Sequence, residues 1–189
     1  MSRTLRTLVC GCVATMVTMS PAIGMAQESK PPANPVMDGA RLMLAQHAKN
    51  LIASAELMPA EKYSYHPTEA QMTFGQLIVH IVQTNSFLCA GIGDVPLPME
   101  VMKLPPTDPK DTLVAAIKQS FTLCTDALNK VEDGKLGDEM SVAGKRTGQT
   151  RARAVLTIVA DWADHYSTAA SYLRMNGILP PSAPPKKQP

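Results

Sequence analysis

Apolar residues recur at spacings of three and four along four separate stretches of the chain, which is the period of an α-helix with one buried face. The fourth stretch is the clearest, because Thr150 suits a helix N-cap and Gly177 followed by Pro180 suits a helix exit. The four apolar stripes consist of Leu44, Ala48, Leu51 and Ala55; Phe74, Leu77, Ile81 and Leu88; Leu113, Ile117, Cys124, Leu128 and Val131; and Ala154, Ile158, Trp162, Ala169 and Leu173.

Prolines, glycines and capping residues predict where these helices begin and end. The first is expected over about Val36–Leu57, and the second is expected to begin near Thr68 or Thr73. The third should start after Pro109, with Asp108 as its cap. The expected C-terminal stops are glycines, namely Gly91 and Gly93, Gly134 and Gly137, and Gly177.

The pattern favours an all-α fold. No alternation of apolar and polar residues is long enough to predict a strand, and an aromatic content of 4% also argues against a sheet. Four amphipathic helices must bury their stripes against one another, so residues 36–179 are predicted to form a four-helix bundle. The proline-rich connection between the second and third helices is long enough to cross the bundle, and strict up-down-up-down order is therefore not assured.

Both ends of the chain lie outside this predicted bundle. Arg3 and Arg6 precede the apolar run Leu8–Val17, and a small-residue site at Gly24-Met25-Ala26 follows, which together indicate a bacterial secretory signal over residues 1–26. The run is too short to span a membrane, so we expect cleavage after Ala26 and a periplasmic or secreted product. The proline-rich polar segments 27–35 and 180–189 are predicted to be a disordered linker and a disordered tail.

Removal of the signal changes the charge balance. The segment contains two of the 18 basic residues and none of the 16 acidic ones, which leaves 16 of each sign in the mature chain. A neutral chain without a basic cluster argues against nucleic acid and against stable membrane association as partners. A small-molecule substrate or ligand is the expected partner. A homodimer is a further possibility that the sequence does not decide.

Two cysteines, Cys89 and Cys124, remain in the predicted mature chain. An even number in an oxidising compartment favours a disulfide between them. The alternative is two buried free thiols, since unpaired cysteine packs as a small apolar residue.

Three polar side chains could form a metal site. Asp161 and His165 are four residues apart beside Ile158 on the inward stripe of the fourth helix, so both should face the interior. His80 lies at the edge of the apolar face of the second helix. One histidine from that helix with a carboxylate and a histidine from one turn of the other could bind a divalent ion such as zinc, nickel or manganese. The alternative is that these are core or rim histidines, with Asp161 pairing with one of them.

Three further polar residues are left out of this candidate site. His47 lies at the rim of the stripe of the first helix and is expected to be solvated or at the core edge, with a pocket residue as the alternative. His66 precedes Pro67 in an extended connection and should face water. Asp164 could support His165 from outside the site, although its angle on the helix points it away.

The segment AELMPAEKYSYHPTEAQMTFGQLIVHIVQTNSFLCAGI (55–92), followed downstream by DWADHYSTAASYLRMNGILPPS (161–182), resembles the DinB-like four-helix-bundle family. The resemblance extends over roughly residues 36–182 and is strongest where Thr73-Phe74-Gly75 leads to His80 and where His165-Tyr166 leads to Tyr172-Leu173-Arg174. It implies a divalent metal held by one histidine on the second helix and a His-x-x-x-His pair on the last. Activities in the family include thiol transfer, isomerisation and hydrolysis, and many members have none assigned.

On this resemblance, His80 and His165 match two of the family's ligands, whereas Asp161 stands where the first histidine of the pair is expected. A carboxylate can replace an imidazole as a ligand, but with a changed affinity and metal preference. Ala163 and Ser167 also depart from the asparagine and glycine often found beside the motif. The departures bear more on catalysis than on fold.

Three functions follow as hypotheses. The first is a metal-dependent hydrolase or a transferase acting on a thiol or another small molecule, with no catalytic residue assigned beyond the ligands. The second is a non-catalytic ligand-binding or stress-related interaction module. The third is a periplasmic haem protein with Met and His axial ligands, and it lacks a Cys-x-x-Cys-His sequence for covalent attachment.

Overall fold

The computed structural model describes residues 33–184. The predicted signal peptide, residues 27–32 of the predicted linker and residues 185–189 of the predicted tail lie outside the described residues. Two predicted disordered ends extend into the described part. Pro35 is the first residue of a helix, and Ser182 donates its backbone N–H to the Tyr166 hydroxyl over 2.9 Å, so residues 180–184 form a turn on the last helix.

Four long helices form the all-α bundle that the sequence predicts. They are α1 (Pro35–Leu57), α2 (Phe74–Gly93), α3 (Lys110–Leu128) and α4 (Arg151–Met175). Three short 3₁₀ turns lie in the connections, at Ala60–Lys62, Val101–Lys103 and Asp133–Lys135. Two strands, β1 (Glu139–Val142) and β2 (Lys145–Thr150), stand between α3 and α4.

The sequence did not predict this antiparallel hairpin. β1 has only four residues, of which Met140 and Val142 are buried, so its alternation is too short to be distinguished from a loop. Both side chains pack against α2 at Gly91, where an added Cβ would lie 2.6 Å from the Met140 sulfur. Ala143 and Gly144 have positive φ angles of 50° and 75°, which suits a tight turn between two short strands.

α2 and α3 run parallel to each other. The pairs Asn85–Ser120 and Cys89–Cys124 join the two helices at successive turns toward both C-termini. The connection over residues 94–109 must therefore return along the length of the bundle, as its length suggested.

α1 and α4 run the other way. Lys110 at the start of α3 donates to the Glu56 carbonyl at the end of α1, so these two helices are antiparallel. Tyr172 near the end of α4 donates its hydroxyl to the Met72 carbonyl just before α2, so this pair is antiparallel as well. The bundle thus has up-down-down-up order, with α1 and α2 each packed between α3 and α4.

Several helix ends agree with the sequence and one differs. Thr73 caps α2 in a reciprocal capping box with Gln76, and the Thr150 side chain accepts from a backbone N–H in the first turn of α4. α2 ends at Gly93, as predicted, and an added Cβ at Gly93 would lie 2.5 Å from the α3 backbone, so this glycine also permits close packing. Asp108 does not cap α3, because Pro109 occupies the N-cap position.

A buried amide connects three helices at the centre of the bundle. Asn85 on α2 accepts from the Trp162 indole N–H on α4 over 2.7 Å and donates to the Ser120 hydroxyl on α3 over 3.0 Å. All three residues are buried. Because a buried polar group without a partner costs about 1–3 kcal/mol, this set of hydrogen bonds fixes how α4 sits against α2.

Cys89 and Cys124 form a disulfide in the structure, with their Cα atoms 5.0 Å apart. Both residues are fully buried, so the bridge lies inside the α2–α3 contact. Among residues 33–184, no helix is both long enough and apolar enough to span a membrane.

Candidate metal site

His80, Asp161 and His165 converge between α2 and α4. Each of the three offers one ligand atom, and these atoms all lie within 4.8 Å of one another. The Asp161 Oδ1 atom is 3.2 Å from His165 Nε2 and 4.0 Å from His80 Nε2. The sequence predicted this convergence from the i, i+4 spacing on the last helix and from the place of His80 on the second.

The two imidazoles meet edge to face. The ring centroids of His80 and His165 are 4.7 Å apart and their planes cross at 77°. The side chains of Asp161 and His165 are only 18% and 11% exposed, whereas that of His80 is 42% exposed. The cluster is therefore reached from solvent on the side of His80 and closed on the side of α4.

Two buried polar atoms of the cluster have no hydrogen-bond partner outside it. Within the described part of the chain, Asp161 Oδ2 makes no hydrogen bond, and His165 Nε2 has its close polar contact at 3.2 Å with Asp161 Oδ1, a member of the same cluster. The great majority of buried polar side-chain atoms in proteins are hydrogen-bonded. A ring nitrogen and a carboxylate oxygen that lie close together without such a partner can both bind the same cation.

The charges inside the cluster act on its buried histidine. The adjacent Asp161 carboxylate raises the pKa of His165 above its ordinary value of 6.5, and burial of the ring acts in the opposite direction. The negative charge at Asp161 therefore favours a positive charge beside it, whether a proton or a metal ion.

Asp164 lies beside His165 without entering the cluster. Its Oδ2 atom lies 3.6 Å from the Nδ1 atom of His165, and its side chain is 78% exposed. This contact is too long for a hydrogen bond. The charge of Asp164 raises the pKa of His165, but less than Asp161 does. Asp164 is therefore next to His165 and outside the cluster, as its angle on the helix indicated.

The remaining two histidines differ from each other. His66 is only partly exposed, and its Nδ1 atom lies 2.7 Å from the Thr68 carbonyl oxygen. His47 is buried on the inward stripe of α1, and among residues 33–184 neither of its ring nitrogens has a hydrogen-bond partner. Burial lowers the pKa of His47. Spacing alone had placed this residue at the rim and outside the site.

Two surface cavities lie away from the cluster. One of about 630 Å³ is lined by the connection before α2 and the starts of α2 and α3, and one of about 580 Å³ lies between α3 and the connection before it. Within the described residues, neither cavity is lined by His80, Asp161 or His165. Cavity size therefore does not locate the candidate site, whereas unpaired polar atoms do.

Fold and cluster together define a four-helix bundle with a candidate metal centre between its second and fourth helices. The DinB superfamily model matches residues 43–169, which is more than half of the 189-residue chain and includes all three candidate ligands. The chain belongs to the DinB superfamily, as the resemblance in sequence had implied.

Solved structures agree with this assignment at the level of the fold. A DinB-like protein (YjoA) from Bacillus subtilis has a TM-score of 0.59 at 19% sequence identity, over 79% of this chain and 98% of its own. A DinB-like protein from Bacillus cereus has a TM-score of 0.62 at 15% identity, over 78% of this chain and 97% of its own. None of the curated proteins compared with this chain matches it.

Proposed function

We propose that this DinB protein binds one divalent metal ion through His80, Asp161 and His165. The observation that carries the proposal is the pair of buried atoms His165 Nε2 and Asp161 Oδ2, which have no hydrogen-bond partner outside the cluster among residues 33–184 and lie next to His80. Two imidazole nitrogens and one carboxylate oxygen are a ligand set suited to zinc, nickel or manganese. The residues present therefore fit the ion that the family implies.

Bound there, such an ion would act as a Lewis acid for hydrolysis or for transfer to a thiol or another small molecule. Three protein ligands leave a coordination position open for water or substrate. The exposed side of His80 gives a small molecule access to this position, and the Asp164 carboxylate lies 3.6 Å from the far nitrogen of His165. We assign no further group to the reaction in this proposal.

A non-catalytic ligand-binding or stress-related interaction module is the second candidate. Asp161 favours it, because a carboxylate replaces the histidine that the family resemblance leads one to expect. A change of ligand type alters metal affinity and preference and could leave binding without turnover.

We further propose that the protein is exported to the periplasm or secreted and that the mature chain begins at Gln27. The disulfide between Cys89 and Cys124 supports an oxidising compartment, since such bonds are rare in the cytosol. Mass spectrometry of exported protein should show the loss of residues 1–26. An intact N-terminal segment on exported material would contradict this proposal.

Metal analysis tests the central proposal directly. Protein purified from the periplasm without a histidine tag should contain about one divalent ion per chain, or acquire it during titration with zinc, nickel or manganese. His165→Ala should abolish stoichiometric binding without loss of helical circular dichroism, because apolar residues make the core. His66→Ala is the matched control, since His66 lies outside the cluster and contacts the Thr68 carbonyl oxygen, and it should bind metal normally. Wild-type protein that stays metal-free throughout would leave only the binding module.

A further inference from the structure

His47 is a buried histidine that the metal proposal does not use. It occupies the inward stripe of α1 between Leu44 and Leu51, both of which are buried, and it is 6% exposed. Neither of its ring nitrogens has a partner among the described residues. An imidazole buried among apolar side chains alone would lose its hydration without gaining a hydrogen bond, which is unfavourable. The contacts at the ends of the helices show which polar groups lie at the same height as His47.

Contacts at the start of α1 fix the height of His47 in the bundle. Asp133 accepts hydrogen bonds from the first backbone N–H groups of α1, and the carbonyl oxygens of Leu136 and Asp138 accept those of α4. The two parallel helices therefore start from one short segment. At about 1.5 Å per residue, His47 lies roughly 15 Å along α1, and Asp161 lies roughly 14 Å along α4.

Contacts at the opposite end give the same height independently. The Tyr63 hydroxyl donates to the Ala55 carbonyl near the end of α1, and the Tyr63 ring packs on Phe74 at the start of α2. Measured back from this layer, His47 is about 12 Å along α1 and His80 about 9 Å along α2.

The end of α4 joins this same layer. Its Tyr172 contacts Met72 and Tyr65, next to Phe74. Counted back from Tyr172, His165 is about 10 Å along α4. Counted from this layer, His47, His80 and His165 thus lie within about 3 Å of one level, and Asp161 lies about one helical turn further along α4.

We propose that His47 forms the inner wall of the metal site and hydrogen-bonds the exchangeable molecule held by the ion. α1 packs directly against α4, and His47 faces inward at the level of Asp161 and His165. It does not belong to the group whose ligand atoms lie within 4.8 Å of one another, so it contacts what the ion binds and not the ion itself. This inference rests on the proposed metal binding.

A neutral imidazole offers one donor and one acceptor, which suits water, a thiol or a small anion at the open position. His80 supplies the solvent-exposed side of the site, and His47 supplies the side closed by α1. The site would thereby hold its small ligand between two histidines from different helices.

Cobalt-substituted protein provides a test that needs no substrate. We would load wild type, His47→Leu, His47→Phe, His47→Gln and the control His66→Leu with Co²⁺ and titrate each with azide, following the visible absorption bands. Each variant should bind cobalt with wild-type stoichiometry. His47→Leu should weaken azide binding about tenfold, the factor expected for loss of one hydrogen bond. His66→Leu should bind azide as wild type does.

The outcomes separate the two proposals. Cobalt bound by all variants with equal azide affinity in wild type and His47→Leu would overturn the role of His47 and leave the metal proposal intact. Wild-type protein without cobalt bands would contradict metal binding itself and, with it, this inference. If His47→Leu does not fold, as judged by circular dichroism, His47→Phe carries the test, because its ring resembles the imidazole in shape but forms no hydrogen bond. An azide affinity in His47→Phe below wild type would support the proposal, and an unchanged affinity would overturn it. His47→Gln, whose amide keeps a donor and an acceptor, should retain more of the wild-type affinity than the apolar variants.

Discussion

Removal of the Cys89–Cys124 disulfide should lower the free energy of unfolding by about 4 kcal/mol. The two cysteines are 35 residues apart, and in the chain-entropy model closure of such a loop restricts the unfolded chain by about 3.8 kcal/mol at 25 °C. For a domain of this size, that loss corresponds to a decrease in Tm of roughly 8–15 °C. The effect is this large because the bridge joins two helices separated by a long connection.

The measurement compares oxidised wild type with Cys89→Ala/Cys124→Ala in urea, followed by far-ultraviolet circular dichroism. The double variant should also show a larger dependence of unfolding free energy on urea, since its unfolded chain exposes more surface. Wild type refolded in reductant is the control for packing, because it lacks the bridge but keeps both sulfur atoms in the core.

A loss below about 1 kcal/mol in both the double variant and reduced wild type would refute the reasoning. It would mean that residual contacts between the α2 and α3 segments already restrict the unfolded chain, or that the oxidised protein has no disulfide between Cys89 and Cys124. Thiol titration under non-reducing denaturation separates these two causes, since a bridged protein releases no thiol from residues 89 and 124.

Three other changes test the packing of the bundle. Asn85→Ala should cost about 1–3 kcal/mol in urea unfolding and shift the emission of Trp162, the single tryptophan, because its indole N–H loses a buried partner; unchanged emission would contradict the hydrogen bond. Gly93→Ala should cost about 1–3 kcal/mol through overpacking, whereas the control Gly39→Ala, with open space around it, should stabilise by about 0.5–1 kcal/mol; equal effects would contradict the close approach. Because burial lowers the pKa of His47, the unfolded chain binds a proton first as pH falls through the ordinary value of 6.5, so stability decreases there, and His47→Leu should reduce that decrease in urea titrations; parallel pH profiles would contradict it.

The sequence predicted the helices and the candidate ligands because both depend on local periodicity. A carboxylate and a histidine four apart on one helix must share a face, which places Asp161 beside His165 before any tertiary contact is known. Thr73 and Thr150 are caps for the same local reason. The position of His80 toward α4 could be predicted because the apolar residues next to it on α2 must be buried.

Features that depend on neighbouring helices were not predictable in this way. Gly93 ends α2 as its position in the sequence indicates, but it also admits the backbone of α3, which no local pattern reveals. The strand containing Met140 packs on α2 where that helix has Gly91. His47 is buried because α1 packs against both α3 and α4, and spacing along one helix cannot show how many neighbours cover it.

The protein core positions the three side chains of the candidate site without help from a bound ion. Cys89 fixes α2 against α3, and Asn85, one turn away, holds Trp162 on α4. Trp162 immediately follows Asp161, so the position of that carboxylate is set by the core and not by an ion. His80 lies less than two turns from Asn85 on the same rigid helix. The three candidate ligands are therefore held together by the core, and the metal ion proposed above would satisfy Asp161 Oδ2, which is buried without a hydrogen-bond partner among residues 33–184.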